Sequence, residues 1–208
     1  MEALSAISLA LGSAWTSGIN LYATVAVLGL LQKFGSAQLP SGLEALDNWW
    51  IIGTAISLYA IEFVADKLPY VDSVWDVVHT FIRIPAGAIV AYAAVADLDP
   101  TFAFIAALFG GGLAFSSHGS KAAARIGANL SPEPVSNWIL SLVEDTIAIA
   151  GTLVAVFAPI ATIIILVLFV LFFIWFSRRI FLAVRRLIIA ALAFIRGESF
   201  ADVARKAG

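Results

Sequence analysis

The sequence predicts an all-α fold, a polytopic membrane helical bundle of about six transmembrane helices, and three observations carry that prediction. Of 208 residues, 62% are hydrophobic and 12% charged, with a mean hydropathy of +0.99; soluble domains are near half apolar and a quarter charged. A spanning helix takes about 20 apolar residues, and the chain has room for six with short loops and no attached soluble domain. The third observation is the stretch Glu62 to Gly87, EFVADKLPYVDSVWDVVHTFIRIPAG. On a helical wheel Asp72, Asp76, His79, Arg83 and Gly87 share one stripe, and the opposite face is Val, Trp, Phe and Ile. An apolar helix with a single ionisable stripe hides that stripe from lipid.

The elements follow in order. The N-terminus lacks the basic region of a signal peptide, so it is taken as the first helix, about Ala3–Leu31. Ser13, Ser17, Asn20 and Thr24 lie along it with Gly12, Gly18 and Gly29, a pattern for close packing or for lining a cavity. A Gly- and Pro-marked loop follows, GSAQLPSGLEALDN. Trp49 and Trp50 open the second helix as an interfacial belt, and Lys67-Leu68-Pro69 closes it. The third helix runs from about Ser73 to Ala96 and leaves through the acidic turn Asp97–Pro100. Along the fourth, about Thr101–Ile126, Gly110-Gly111-Gly112 is expected to interrupt the helix by close packing or unwinding, ahead of the polar run Ser116–Lys121. The fifth, about Val135–Val156, carries Asn137, Ser141, Glu144, Asp145, Gly151 and Thr152 on or beside one face. Ala158-Pro159 turns into an uncharged sixth helix.

Beyond it, Arg178, Arg179, Arg185 and Arg186 repeat at a spacing of seven among Phe181, Leu182, Ile188 and Ile189. That is a C-terminal basic amphipathic helix suited to an anionic lipid surface, or an arm for a helical partner or an oligomer. The expected division is a transmembrane domain, 1–177, and a cytoplasmic tail, 178–208. Lys and Arg placement puts both termini in the cytoplasm, with Lys67, Lys121 and Arg125 flanking inside loops, the Asp97–Asp99 turn outside, and Lys33 as the one exception. The expected location is a bacterial inner membrane.

Two hexapeptides, Gly12–Ser17 and Gly112–Ser117, both read G-x-A-aromatic-[S/T]-S. Repeats over 1–97 and 101–177 with three helices each would form a 3+3 inverted repeat, a transporter signature.

Ionisable groups inside a membrane cost about 2.5–3.5 kcal/mol each near a helix centre. The candidate ion or substrate pathway is Asn20, Glu62, Asp66, Asp76, His79, Arg83, Ser117, His118, Glu144 and Asp145. Equal depth suggests that Arg83 pairs with Glu144 or Asp145, with Lys67 snorkelling to the interface and Asp72 capping the third helix. The remaining carboxylates would bind a small cation or carry protons, with His79 or His118 titrating near neutrality. Glu144, Asp145 and Glu62 are the candidates for a hard cation held through oxygen. Cysteine is absent, which excludes disulfides, thiolate metal sites and thiol nucleophiles. Catalytic motifs are missing, so neither enzyme activity nor a cofactor is expected. The basic tail is interleaved with lipid-seeking residues, so the expected partners are the bilayer and a second copy of the chain, not nucleic acid.

The string E-F-V-A-D-K-L-P-x-V-D-S-V-W-D-x-x-H-T-F-I-R, together with Gly18–Tyr22, G-I-N-L-Y, resembles a bacterial integral membrane family catalogued only as a domain of unknown function (domain of unknown function 4126). The resemblance covers most of residues 10–155. It departs where Ile84 stands between Arg83 and Pro85, the family having proline directly after the arginine. It implies a multi-spanning inner-membrane protein with no established substrate, and marks Asn20, Glu62, Asp66, Lys67, Asp72, Asp76 and Arg83 as motif positions. The leading expectation is a small transporter or channel for an ion or small solute. The alternative is a membrane scaffold or assembly factor whose interior charges are a structural ion-pair network.

Overall fold

A computed structural model describes residues 2–68, 70–129 and 135–195. Six α-helices make up the described fold: α1 (Glu2–Lys33), α2 (Trp49–Ala65), α3 (Val71–Ala94), α4 (Pro100–Asn129), α5 (Val135–Phe157) and α6 (Pro159–Ile195). A 3-10 turn, Ser41–Asp47, precedes α2 and meets it at 71°. Among the described residues, five helices are long and apolar enough to cross a membrane, and six if the bent pair counts as one span. The chain divides into two compact units, Met1–Leu166 and Val167–Gly208.

Within the first unit α1 is central and packs along α3, α4 and α5. Its residues suit that position. Serines, threonines, alanines and glycines let neighbouring backbones come close, and Ala10, Ala14, Ser17 and Thr24 are all but fully buried. Side-chain caps start the later helices: Asn48 Oδ1 accepts from Trp50 N at 2.8 Å, and Asp99 Oδ1 from Thr101 N at 2.8 Å and Phe102 N at 3.1 Å. The 3-10 turn is pinned to the far end of α3 by Ser41 Oγ, which donates to Asp97 at 2.7 Å.

The glycine triplet does not interrupt α4, which is helical from Pro100 to Asn129. The break lies in α1 instead, at Asn20, whose backbone is extended (φ −146°, ψ 99°). The hexapeptides Gly12–Ser17 and Gly112–Ser117 meet across the α1–α4 contact, where Ser117 Oγ donates to the Trp15 carbonyl at 2.7 Å. In the second unit α6 is helical to Ile195, and Arg178, Arg179, Arg185 and Arg186 are exposed. Residues 196–208 of the expected tail lie outside the described residues.

Candidate functional site

The α3 stripe forms as its spacing predicts: Asp72, Asp76, His79, Arg83 and Gly87 are all buried. On α4 the facing stripe is Ser117, His118, Lys121 and Arg125, and on α5 it is Asn137, Ser141, Glu144 and Asp145. With Glu62 and Asp66 near the end of α2, these side chains gather toward the end of the bundle that holds the α2–α3 turn.

Three cations organise the cluster. Arg83 pairs with Glu62 through Nη2 and with Asp76 Oδ1 through Nη1 at 3.3 Å. Lys121 Nζ lies 3.1 Å from both Glu62 Oε1 and Asp66 Oδ2, and 3.7 Å from both Asp76 Oδ1 and Glu144 Oε2. Arg125 bonds Asp66 Oδ2 at 2.9 Å, pairs with Glu144, and lies 3.8 Å from Asp72 Oδ2.

Several expectations are corrected here. Arg83 does not meet Glu144 or Asp145: equal depth said nothing about which way each helix face points, and α3 turns this arginine toward Glu62. Arg125 and Lys121, expected beside an inside loop, are turned into the bundle, 1% and 4% exposed. Lys67 folds back, donating to the Phe63 carbonyl at 2.9 Å and Ser141 Oγ at 3.4 Å. Asp72 lies in the first turn of α3 and not at the N-cap position, which is Tyr70; its Oδ1 accepts from Ser73 N at 2.6 Å, and both its oxygens accept from Asn129 Nδ2, each at 3.1 Å. Glu62, Glu144 and Asp145 do not converge on a metal site, since Arg and Lys side chains separate the carboxylates. No group of three candidate ligands forms among the described residues. Ser117 lies outside the charged cluster, its hydroxyl committed to the Trp15 carbonyl.

The histidines are held differently. Arg83 Nη1 approaches His118 Nδ1 at 3.1 Å. A guanidinium has only donors, so Nδ1 must accept, and the ring proton sits on Nε2 facing the Asp76 carbonyl and Thr80 Oγ1. While Arg83 stays there, His118 is neutral, contrary to its expected role as a titrating group. His79 Nδ1 faces the Trp75 carbonyl at 2.7 Å, which fixes its proton there, and Nε2 meets the Tyr22 hydroxyl at 2.9 Å.

Asn20 joins the α1 break to the cluster. Its Oδ1 accepts from Ala23 N–H at 2.9 Å, the donor an unbroken helix would give to the Ile19 carbonyl. The Ile19 carbonyl instead receives Lys121 Nζ at 3.3 Å. Asn20 Nδ2 donates to Asp145 Oδ1 at 2.9 Å. Glu144 and Asp145 are adjacent, roughly 100° apart on the helix, so one reaches Arg125 and the other Asn20. Asp145 makes no ion pair with a described residue, and its Oδ2 has no hydrogen-bond partner.

Sequence reasoning missed Arg125 as an interior group. Its signal was present: His118, Lys121 and Arg125 follow at three and four residues, one helical face.

Long apolar helices around a buried cluster of charges define a multi-pass membrane protein. Within that class the chain belongs to the family described as Domain of unknown function (DUF4126), whose model matches residues 7–179. No curated protein and no solved structure matches the chain.

Proposed function

We propose that this protein is a small membrane transporter or channel for an ion or small solute, with the buried cluster as its pathway. One observation carries the reading. Six buried carboxylates, Glu62, Asp66, Asp72, Asp76, Glu144 and Asp145, face three buried cations, Arg83, Lys121 and Arg125. A permanent ion-pair network would balance its charges, because uncompensated buried charge is costly. The surplus acids therefore carry protons or bind a cation. The α1 break supports the same reading, since discontinuous helices with freed carbonyls line transporter sites. The cluster end is read as cytoplasmic, and the membrane as a bacterial inner membrane.

The experiment is flux in proteoliposomes under a proton or alkali-cation gradient. Because Glu144 is tied to Arg125 and Asp145 has no such partner, Asp145→Asn is the informative variant. We expect wild-type flux well above that of empty liposomes and at least a tenfold loss in the folded variant. Wild-type flux in folded Asp145→Asn, or none in the wild type, overturns the reading. The scaffold alternative is favoured by the ion pairing of five of the six carboxylates; a folded wild type without flux selects it.

A further inference from the structure

A cavity of about 320 Å³ opens between α2 and α5. Tyr59 and Phe63 line it from α2, and Leu142, Ile149 and Leu153 from α5, with Asp145 as the one charged side chain in the lining. Leu142 is 52% exposed and Leu153 37%, so the mouth faces the apolar surroundings of the bundle. Small-molecule pockets start at about 300 Å³ and combine apolar and aromatic walls with a few placed polar groups.

We infer that this cavity is a binding site for a small organic monocation, an alkyl- or arylammonium with an apolar body, which enters from the bilayer and pairs with Asp145. Four observations converge. Asp145 is 5% exposed and is the cluster carboxylate without a cation. Its Oδ2 is buried without a hydrogen-bond partner, and the neighbouring Tyr59 hydroxyl supplies no charge, so the carboxylate has lost hydration that only a ligand's counter-charge returns. Asn20 Nδ2 holds Oδ1 at 2.9 Å, so the carboxylate is oriented before the ligand arrives. Finally, the walls carry two aromatic rings, and a ring face attracts an ammonium. Phe63 already holds Lys67 Nζ 2.9 Å from its ring centroid, which leaves Tyr59 as the ring for a ligand.

Lys67 also limits what fits. Its charge at the Phe63 side of the cavity, itself attracted by Asp145, repels each added positive centre, so a dication is disfavoured most and a ligand with one cationic head and an apolar remainder is favoured. Divalent metal ions lose as well, because beside apolar surface the lining offers one carboxylate and the Tyr59 and Thr146 side chains in place of the several oxygens, about six or more, that such an ion takes. The inference rests on the transport reading for what the bound cation does, but not for its binding.

The test uses the purified full-length protein in detergent, titrated calorimetrically with benzyltrimethylammonium, whose charge is independent of pH. Its uncharged carbon isostere, neopentylbenzene, is the control. We expect saturable binding of the ammonium at least tenfold tighter than that of the isostere. Binding should weaken at least tenfold in Asp145→Asn and in Ala150→Phe. The second variant fills the cavity from an exposed position that lines it and leaves every charge in place, so it serves if the first does not fold. No binding, equal binding of charged and uncharged probes, or binding unchanged in the folded variants overturns the inference. Equal binding would mark a groove for acyl chains. Ammonium binding without any flux in proteoliposomes leaves the site standing and removes the transport reading. Proton or cation flux without ammonium binding does the reverse.

Discussion

The two ends of the bundle are held together by different physics. Toward the α3–α4 turn the helices touch almost backbone to backbone. A Cβ added at Gly110 would lie 2.3 Å from Ala91 Cβ and 3.0 Å from the Gly87 carbonyl, and one at Gly87 would lie 2.5 Å from Ala114 Cβ. Toward the α2–α3 turn the same helices are bridged by arginine and lysine side chains reaching across to carboxylates. Helix α1 passes through both regions, straight where it meets small residues and broken at Asn20 where it meets charge. The difference teaches where change can occur. A close-packed apolar contact has one low-energy arrangement, whereas a cluster with more carboxylates than cations can exchange protons, counter-ions and partners.

Breaking the charged end should have the largest effect. Arg125 is 1% exposed and answers both Asp66 and Glu144. Removing one partner of a buried pair leaves its charges uncompensated, at a cost of about 3–5 kcal/mol. Arg125→Met should therefore lower the unfolding midpoint in detergent more than any other single change considered. Adding Glu144→Gln should restore part of the loss, because the second change removes a charge stranded by the first. A double variant no more stable than Arg125→Met would mean that Glu144 draws its compensation from Lys121, 3.7 Å away.

Next come the glycines of the close-packed end. A Cβ at Gly18 would fall 2.0 Å from Ser117 Oγ and 2.3 Å from the Ala114 carbonyl. Serine can rotate away, but the carbonyl belongs to α4 and cannot move alone. Gly18→Ala should thus behave as overpacking, costing about 1–3 kcal/mol in denaturation followed by tryptophan fluorescence. A neutral outcome would show that α1 and α4 slide past one another freely, and the contrast between the two ends would lose its force.

Much of this arrangement was legible because helix periodicity is local. Residues Asp72, Asp76, His79, Arg83 and Gly87 share a face by spacing alone, and the fold buries all five. Partner choice is not local. Depth along α3 and α5 can be counted, but whether Arg83 turns toward α2 or α5 depends on how each helix is rotated in the bundle. The α1 break was hidden for a related reason. Asn20 reads as one more polar residue on a helical stripe, and only Ala23, Asp145 and Lys121 converging around it make an extended backbone favourable there. Conversely, three consecutive glycines look like a rupture in one dimension, yet a neighbouring helix can hold them in register.

That triplet gives the smallest and sharpest comparison, because adjacent residues of one type should respond with opposite signs. Gly110 faces Ala91 and Gly87, Gly111 would place a Cβ at an ordinary 3.4 Å from Ala88, and Gly112 has nothing within 4 Å. Alanine is favoured over glycine inside a helix by roughly 0.8–1.0 kcal/mol. At Gly112 nothing opposes that gain, so Gly112→Ala should stabilise the protein by nearly that amount. Gly111→Ala should stabilise it by a little less. Gly110→Ala keeps the same helical gain but must part α3 from α4, and should be destabilising overall. The three variants, compared by unfolding midpoint in one detergent, separate what glycine costs a helix from what it allows between helices. If all three were stabilising, close backbone approach would not be what holds this end of the bundle. If all three were destabilising, the triplet would be needed for flexibility rather than for packing.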